Sequence, residues 1–414
     1  MKILVINAGS SSLKYQVIDM ETEEKLVKGN YERIGQAGSV LTHKVNGEKL
    51  KFEHDAKNHS EALEFILSKI LDEEIGVIKS LDELAGIGHR VVHGGEKFSS
   101  PVLITDEVLE KIEECSSLAP LHNPNSISGI KACQKVVPNM KMVAVFDTGF
   151  HQTIPRERYI YPIPYEYYEK YGIRKYGFHG ISHEYVANRV AKLMEKNIKD
   201  LKIISCHLGQ GASLCAIKDG KSVETTMGLT PLAGVPMGSR CGDLDPSVVT
   251  FIAKKAEKPS NGVFSLTKTD HEELTPDEID EVLNKKSGVY GISRISLDFR
   301  DIEQDAALGG HHARLALDNF DYKVAQEIGK MAVAIGGVDV ITFEAGIGEK
   351  GALDRKHICS YLGVLGVEID EDLNIAKVDE KEISKENSKV KVWVIPTDEE
   401  LMIAKKTYEL VKWN

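Results

Sequence analysis

The chain has 414 residues, of which 42% are hydrophobic and 28% charged, a composition typical of a soluble globular protein. Its 52 Lys and Arg residues against 63 Asp and Glu residues give a net charge of -11. This balance argues against nucleic acid or an anionic membrane as the main partner, because both favour a basic surface. At roughly 100–200 residues per domain, the length favours two domains.

Targeting and membrane signals are not apparent. The N-terminus opens directly on a strand-like run, Lys2–Ile6, without the zones of a signal peptide. The most apolar long segment, 329–348, is interrupted by Lys330, Asp339 and Glu344, so we expect no membrane span. The six cysteines form no CxxC pair and no zinc-ligand spacing. We therefore expect reduced thiols in a cytoplasmic protein.

The first predicted element recurs later in the chain. KILVINAGSSSLKYQVID at 2–19 resembles KIISCHLGQGASLCAIKD at 202–219, and both read as strand, Gly-containing turn and returning strand. Two hairpins can look alike from strand propensity alone, but the identical spacing favours duplication. A duplicated pair of domains suggests a cleft where ligands bind.

Strand-like and helix-like segments alternate along the chain, which predicts an α/β architecture. Apolar side chains at helical spacing predict a helix over 58–72. The sequence Thr-Pro-Asp-Glu at 275–278 predicts a helix N-terminus with a capping box, inside a polar stretch (253–286) expected to be a surface excursion. A longer helix is expected over about 313–335, followed by a buried strand at 338–343.

Three glycine-rich segments each follow a predicted strand. They are NAGSSSLK at 7–14, HLGQGAS at 207–213 and AGIGEKG at 345–351. Backbone N–H groups and hydroxyls such as those of Ser10 and Ser12 can approach phosphate oxygens closely in such turns, and Lys14 can reach the same anion. Asn7 could help to hold a metal or its waters. Each turn alone is more often structural, and the Walker A spacing is missing, but three together favour nucleotide binding.

Charged and histidine side chains recur in five Gly- or Pro-flanked segments, at Arg90, His122, Asp147, His179 and Arg240. One such residue alone would be read as a surface or capping group. Arginine forks and histidine donors match the oxygens of a transferring phosphoryl group. A carboxylic acid acceptor is already ionised at neutral pH, since carboxyl pKa values are about 4. We therefore expect Asp147 to orient cations, with proton transfer secondary.

Eight strings, in chain order, resemble the acetokinase (acetate kinase) family: NAGSSSLKYQ, HRVVHGGE, PLHNP, FDTGFHQT, YGFHGISH, MGSRCGDLDP, GIGE and IPTDEE. The resemblance runs from Met1 to about Lys405. The family belongs to the acetate and sugar kinase, Hsc70 and actin superfamily. This implies an α/β fold of two duplicated actin-like (ribonuclease H-like) domains around a central cleft. We place the first domain at 1–150, completed by a C-terminal helix over about 400–414, and the second, nucleotide-binding domain at 151–399.

The resemblance also implies an activity and a set of site residues. The implied reaction is reversible transfer of the ATP γ-phosphoryl group to acetate, with Mg²⁺ (or Mn²⁺) as cofactor, in an enzyme that is usually a homodimer through its second domain. The implied catalytic residues are Asp147, His179, Arg240 and Arg90, and the implied metal ligands are Asn7 and Glu399. The predicted substrate-binding residues are Arg90, Val92, Leu121, His122, Phe178 and Pro231. The predicted ATP contacts are Ser10, Ser12, Lys14, His207, Leu208, Gly209, Gln210, Gly211, Asp298, Phe299, Arg300, Gly346, Ile347, Gly348, Glu349 and Lys350.

Two residues depart from the family pattern in the nucleotide loops. Gln210 stands where the family usually has Asn, and Lys350 also stands where Asn is usual. GTP or an inorganic phosphoryl donor therefore stay open as alternatives to ATP. Propionate or butyrate stays open as the acceptor, because one methylene changes binding in an apolar pocket by only about 1–3 kcal/mol. A chaperone-like ATPase of the same superfamily is a further alternative, but it would not need the paired arginines.

Overall fold

The computed structural model describes residues 1–255 and 274–413, and contacts divide the chain into two compact units. Unit 1 comprises Met1–Thr153, Phe178–Tyr185 and Thr397–Asn414, and unit 2 comprises Ile154–Gly177 and Val186–Pro396. The polar stretch predicted at 253–286 lies partly outside the described residues, as does the last residue of the predicted C-terminal helix.

Unit 1 contains an eight-stranded sheet. Its strands are β1 (Lys2–Ala8), β2 (Ser12–Asp19), β3 (Glu24–Glu32), β4 (Val40–Val45), β5 (Glu48–Glu53), β6 (Leu84–Val91), β7 (Val102–Leu103) and β8 (Met142–Phe146). They lie in the order β5-β4-β3-β2-β1-β6-β8-β7. Strands β1 to β3 are antiparallel neighbours, whereas β6 runs parallel to β1 and β8 runs parallel to β6.

Unit 2 contains a six-stranded sheet with a closely similar plan. Its strands are β9 (Lys202–Leu208), β10 (Ala212–Lys218), β11 (Lys221–Thr225), β12 (Val340–Glu344), β13 (Lys381–Glu382) and β14 (Lys391–Val394). They lie in the order β11-β10-β9-β12-β14-β13. In each sheet, three antiparallel neighbours (β3-β2-β1 and β11-β10-β9) are followed by two strands parallel to the last of them (β6-β8 and β12-β14), and the unit 1 sheet adds β4 and β5 to its antiparallel part. The predicted duplication is therefore confirmed, and so is the predicted α/β class with two actin-like domains.

Fifteen α-helices occur among the described residues. They are α1 (His59–Ile70), α2 (Asp106–Glu114), α3 (Asn123–Val136), α4 (Arg156–Tyr159), α5 (Glu166–Tyr171), α6 (Gly180–Leu193), α7 (Pro246–Lys255), α8 (Pro276–Lys285), α9 (Gly288–Ser293), α10 (Phe299–Ala307), α11 (His311–Ile335), α12 (Ala345–Lys350), α13 (Ala352–Ser360), α14 (Glu371–Ile375) and α15 (Glu399–Trp413). The predictions at 58–72, 275–278 and 313–335 correspond to α1, the start of α8, and α11. At α8 the predicted capping box is present, because Thr275 Oγ1 accepts from Glu278 N and the Glu278 carboxylate accepts from Thr275 N.

The sheet of unit 1 buries apolar side chains on both faces of its central strand. Leu4 and Ile6 belong to a core with α1 and α3, while Ile3 and Val5 belong to a core with α15. A Cβ on Gly88 of β6 would lie 2.4 Å from Oγ1 of Thr407. The absence of a side chain there lets α15 pack directly on β6, which brings the first residue of α15 toward the end of that strand.

Two further sequence predictions can be compared with the structure. No helix in the described ranges is long and apolar enough to cross a lipid bilayer. All six cysteines are unpaired, and five of them are buried. The prediction of free thiols is therefore confirmed.

Candidate active site

Arg90 and Asp147 form the charged centre of unit 1. Arg90 lies near the end of β6, and Asp147 directly follows the neighbouring parallel strand β8. Arg90 Nε donates to Asp147 Oδ1 at 3.0 Å, and Arg90 Nη2 donates to Oδ2 at 2.5 Å. The backbone N–H of Asp147 donates to the Val91 carbonyl at 3.0 Å. The register of the two strands therefore produces a bidentate pair from residues far apart in sequence.

Burial and charge act in opposite directions on this pair. Burial raises the pKa of Asp147 to about 6, although Arg90 opposes the rise. Burial lowers the pKa of Arg90, but Asp147 and Glu399 together outweigh that effect and leave the pKa above its ordinary value. The Asp147 side chain is only 3% exposed, whereas that of Arg90 is 21% exposed. The guanidinium therefore stays charged and keeps a surface on which an anion can bind.

Glu399, the first residue of α15, completes this group. Its Oε2 lies 3.7 Å from Arg90 Nε, and its Oε1 accepts a hydrogen bond from Ser182 Oγ at 2.6 Å. Ser182 is fully buried in the first turn of α6. The sequence patterns do not predict a role for Ser182, although it lies three residues after His179 in the YGFHGISH string. A hydroxyl that donates to a carboxylate fixes the orientation of that carboxylate.

His179 lies immediately before α6 in a left-handed conformation, with φ at 56°. The next residue, Gly180, donates its backbone N–H to the Asp147 carbonyl at 2.9 Å. A Cβ on Gly180 would lie 2.3 Å from that carbonyl oxygen, so a glycine is required for the approach. The structure thus places His179 beside Asp147 in unit 1. Such backbone conformations in non-glycine residues are frequent at functional sites.

Two of the apolar residues predicted to bind the acid have buried side chains. Val92 and Phe178 are buried in unit 1. The Phe178 ring packs edge-to-face on His93, with centroids 5.5 Å apart. Asn123 holds His93 through both backbone groups, at 3.1 Å to its N–H and 2.9 Å to its carbonyl. Asn123 is a second positioning residue that the sequence analysis did not single out.

The other three residues predicted to bind the substrate are either exposed on unit 1 or part of unit 2. Leu121 is 78% exposed, and His122 beside it is also exposed, at the start of α3 in unit 1. Pro231 lies in unit 2, where its carbonyl accepts a hydrogen bond from Arg240 Nη1 at 3.2 Å.

Arg240 is a partly buried cation that has no counterion in the described parts of the chain. Its Nη1 also lies 3.6 Å from Met237 Sδ. Burial lowers the pKa of Arg240. In residues 1–255 and 274–413, no carboxylate lies within ion-pair distance of it. Its remaining N–H donors are therefore available to an anion.

The first glycine-rich turn joins β1 to β2. Asn7 and Lys14 are direct cross-strand partners, and Gly9 N donates to the Ser12 carbonyl at 2.9 Å. Ser10 is exposed at the tip of the turn and Ser12 is partly exposed. His59 Nε2, from the first residue of α1, bonds the Gly9 carbonyl at 2.8 Å. Through this last contact, helix α1 holds the glycine-rich turn in place.

The second and third glycine-rich segments follow the C-terminal ends of two neighbouring interior strands of the unit 2 sheet. Strands β9 and β12 are parallel neighbours with His207 opposite Glu344. His207 Nδ1 lies 3.9 Å from Glu344 Oε2, and Ser205 Oγ donates to Glu344 Oε1 at 2.7 Å. Within the turn after β9, Gly209 N donates to the Gly211 carbonyl at 3.1 Å. Two of the predicted nucleotide segments are therefore adjacent.

Gln210 connects this turn to a further predicted segment. Its Nε2 donates to the Leu297 carbonyl at 3.4 Å. Asp298 caps α10 by accepting from Arg300 N at 3.0 Å, and the Arg300 side chain is 86% exposed. Phe299 packs in the core on Phe320, with ring centroids 4.9 Å apart. In the triplet 298–300, Asp298 and Arg300 are accessible and Phe299 supports them.

The third segment corrects an expectation. Residues 345–351 were predicted as a glycine turn, but they form the short helix α12 directly after β12. Ala345, at φ 62°, makes the change of direction. The buried Arg355 explains why the helix ends where it does, because its Nη1 donates to the carbonyls of Gly348 and Glu349 at 2.8 and 3.0 Å. These carbonyls would otherwise lack an intrahelical partner.

Arg355 is itself held by α14. Its Nε donates to Asn374 Oδ1 and its Nη2 to the Asn374 carbonyl, both at 2.8 Å. Asn374 in turn donates to the Ala352 carbonyl at 2.8 Å. Lys350, at the end of α12, is exposed. Neither Arg355 nor Asn374 carried a motif signal in the sequence.

The repeated topology of the two sheets is that of the actin-like ATPase fold, and the comparisons with known proteins define the chain as a kinase. The model of the acetokinase family matches residues 2–405. The acetate kinase of Clostridium botulinum (strain Langeland / NCTC 10281 / Type F) is 55% identical over 410 residues, which cover 99% of each chain. The chain belongs to the acetokinase family.

Solved structures agree with this assignment. Porphyromonas gingivalis acetate kinase has 43% sequence identity and a TM-score of 0.91, with 99% of each chain covered. A propionate kinase from Francisella tularensis has 40% identity and a TM-score of 0.86, with 98% of each chain covered. Relatives with this fold therefore include proteins named for two different acids.

Proposed function

We propose that the protein is an acetate kinase that reversibly transfers the γ-phosphoryl group of ATP to acetate, giving acetyl phosphate and ADP. One observation carries the proposal: Arg90 is held by the buried Asp147 through two hydrogen bonds while its side chain stays 21% exposed. A fixed, accessible guanidinium is suited to bind a carboxylate. The similarity to proteins named acetate kinase supports acetate as that carboxylate.

Arg90 has donors left for the substrate. The pair with Asp147 uses Nε and one hydrogen of Nη2, so Nη1 and the second Nη2 hydrogen can donate to acetate oxygens. Val92 and Phe178, with Leu121, His122 and Pro231, would enclose the methyl group. Because acetate is already ionised at neutral pH, Asp147 is not needed as a base and serves to orient Arg90.

The proposed chemical step is a direct in-line transfer. The charge that develops on the phosphoryl oxygens would be stabilised by Arg240 and His179. Arg240 is suited to this role because no carboxylate in the described parts of the chain pairs with it. His179 is suited because its backbone is fixed against Asp147 through Gly180.

ATP would be bound by the three glycine-rich segments and by Lys14, with Ser10 and Ser12 at the phosphates. Magnesium would be held by Glu399 and Asn7 together with nucleotide phosphates. The residues fit this ion, since Mg²⁺ commonly takes one or two carboxylates plus substrate phosphates and waters. Among the described residues, no group of three His, Cys, Asp or Glu side chains could form an all-protein metal site. The bound ion would neutralise charge on the phosphates.

Propionate is a second candidate substrate, because one similar structure is a propionate kinase. A steady-state assay of the purified protein would decide, with acetate, propionate and butyrate tested against ATP, GTP and pyrophosphate, and acyl phosphate trapped as hydroxamate. We expect the highest kcat/KM with acetate and ATP. Absence of any acyl phosphate would refute the proposed function, and a higher kcat/KM for propionate would identify propionate as the substrate in place of acetate.

We also propose a cytoplasmic homodimer formed through unit 2. Sedimentation of the purified protein would test whether it is a dimer.

A further inference from the structure

A groove of about 370 Å³ lies on the unit 1 sheet, on the face opposite the core with α1. It is formed mainly by strands β2 to β5. Its polar lining includes Lys14, Gln16, Lys28, Asn30, Lys44 and Lys49. Glu32 and Glu400 are its acidic members, so four lysines and two glutamates leave the groove positively charged in a protein of net charge -11.

The lysines of this groove are aligned by strand register. Lys28 is directly opposite Lys44, and Lys44 is directly opposite Lys49. Like charges directly opposite each other destabilise a sheet. None of these three lysines forms an ion pair with another described residue. Lysine on an edge strand can prevent aggregation, which accounts for Lys49 on β5 but not for Lys28 and Lys44 on interior strands.

Two amide oxygens in the same groove also lack partners among the described residues. Gln16 lies opposite Lys28 and is only 9% exposed. Its Oε1 and the Oδ1 of Asn30 are buried and accept no hydrogen bond from any described residue. A buried acceptor without a donor costs stability, so such groups are normally satisfied. The groove thus presents unpaired cations beside unpaired acceptors.

We propose that this groove binds a small phosphorylated metabolite whose phosphate groups pair with the lysines and whose hydroxyl or amino groups donate to Gln16 and Asn30. The volume is in the range of small-molecule sites. The inference does not depend on the proposed acetate kinase activity. Lys14 lines the groove and is also a predicted ATP contact, so the test uses Lys28 and Lys44, which no predicted ATP contact includes.

The test measures binding of inorganic triphosphate to the full chain by isothermal titration calorimetry at low ionic strength. Lys28→Gln and Lys44→Gln each remove one groove cation, and Lys135→Gln, an exposed lysine on α3, is the matched control. We expect each groove variant to weaken binding about tenfold, as loss of a charge-assisted contact does. The control should bind like the parent chain. Binding should also weaken with added salt, because the contacts are electrostatic.

Two results would overturn the proposal. One is triphosphate binding that is absent, or that is equal in Lys28→Gln, Lys44→Gln and Lys135→Gln, since the anion would then bind elsewhere. The other is equally tight, lysine-dependent binding of a short DNA duplex, which would indicate a general polyanion surface. Kinase assays on the same preparations test the proposed function separately, so failure of either idea is distinguishable.

Discussion

Arg90 and Asp147 form a bidentate pair, with Nε and Nη2 of the arginine 3.0 and 2.5 Å from the two carboxylate oxygens. Fifty-seven residues separate them in sequence. The geometry leaves the arginine charged and oriented, and it links the substrate-binding proposal to the protonation state of one buried carboxyl group.

The first prediction concerns pH. Burial raises the pKa of Asp147 to about 6, so the carboxylate becomes protonated as the pH falls through that value and Arg90 loses its charged partner. We expect kcat/KM for acetate to fall on the acid side of about pH 6 and to be level above it. The buried His89 and His183 have pKa values of about 3 and should not contribute.

Asp147→Asn is the control for that prediction, because its residual kcat/KM should no longer fall on the acid side of pH 6. If kcat/KM of Asp147→Asn still fell with the same midpoint pH, another group would be responsible.

The same shift in pKa has the opposite effect on the stability of the fold. Since the folded pKa of Asp147 exceeds its ordinary value of 3.8, its contribution to stability is complete below that value and is lost as the pH rises through about 6.

The second prediction concerns Arg240. Replacement by alanine removes a cation that no described carboxylate neutralises, and we expect kcat to fall about 10³-fold or more, as for other arginines that stabilise phosphoryl transfer. The melting temperature should change little. Arg240→Lys should recover only part of the rate, because lysine lacks the planar fork. A rate for Arg240→Ala within a few-fold of the parent would refute the role.

The third prediction tests Ser182. Ser182→Ala removes the 2.6 Å hydrogen bond to Glu399 and with it one constraint on the orientation of that carboxylate. We expect the Mg²⁺ concentration for half-maximal activity to rise about tenfold, as loss of an outer contact to a metal ligand typically does. Ser39→Ala is the matched control, since it also removes a buried hydroxyl, one that donates to the Arg33 carbonyl. Equal Mg²⁺ dependence in the two variants would count against Glu399 as a ligand.

The fourth prediction concerns acid selectivity. Val92 is buried, and Val92→Ala would add room in the proposed pocket for the acid. We expect the ratio of kcat/KM for propionate to that for acetate to rise by up to about tenfold, the lower part of the range for one methylene. Val137→Ala, a buried valine in another part of the unit 1 core, should lower stability without changing the ratio. An unchanged acid profile in Val92→Ala would contradict the pocket assignment.

The fifth prediction concerns the Arg355–Asn374 contact. Arg355→Met removes the donors that Arg355 supplies to the Gly348 and Glu349 carbonyls. We expect the free energy of unfolding to fall by about 3 kcal/mol or more, measured with urea, because unsatisfied buried acceptors each cost about 1–3 kcal/mol. The KM for ATP should rise in the folded fraction. Arg314→Met, on the surface of α11, is the control and should lose less than about 1 kcal/mol. A similarly small loss in Arg355→Met would show that the Arg355–Asn374 contact is not needed for stability.

Local sequence patterns were sufficient for several secondary-structure elements, although not for the short helix α12. The strand–turn–strand repeat at 2–19 and 202–219, the capping box at Thr275 and the long helix ending near Ile335 all depend on neighbouring residues. Such patterns express backbone propensity and side-chain periodicity, which act over a few residues. The resemblance to the acetokinase family is likewise carried by short strings in order.

What the tertiary structure alone decided is which distant side chains meet. The Arg90–Asp147 pair depends on the register of β6 and β8, and the Ser182–Glu399 contact joins residues 217 positions apart. The alignment of Lys28 and Lys44 depends on the pairing of β3 with β4. Register and helix docking are fixed by packing across the whole core, since a shift of one residue would turn every side chain of a strand to the other face. Sequence therefore determined the family and most of the predicted elements, and long-range packing determined which side chains meet at the site.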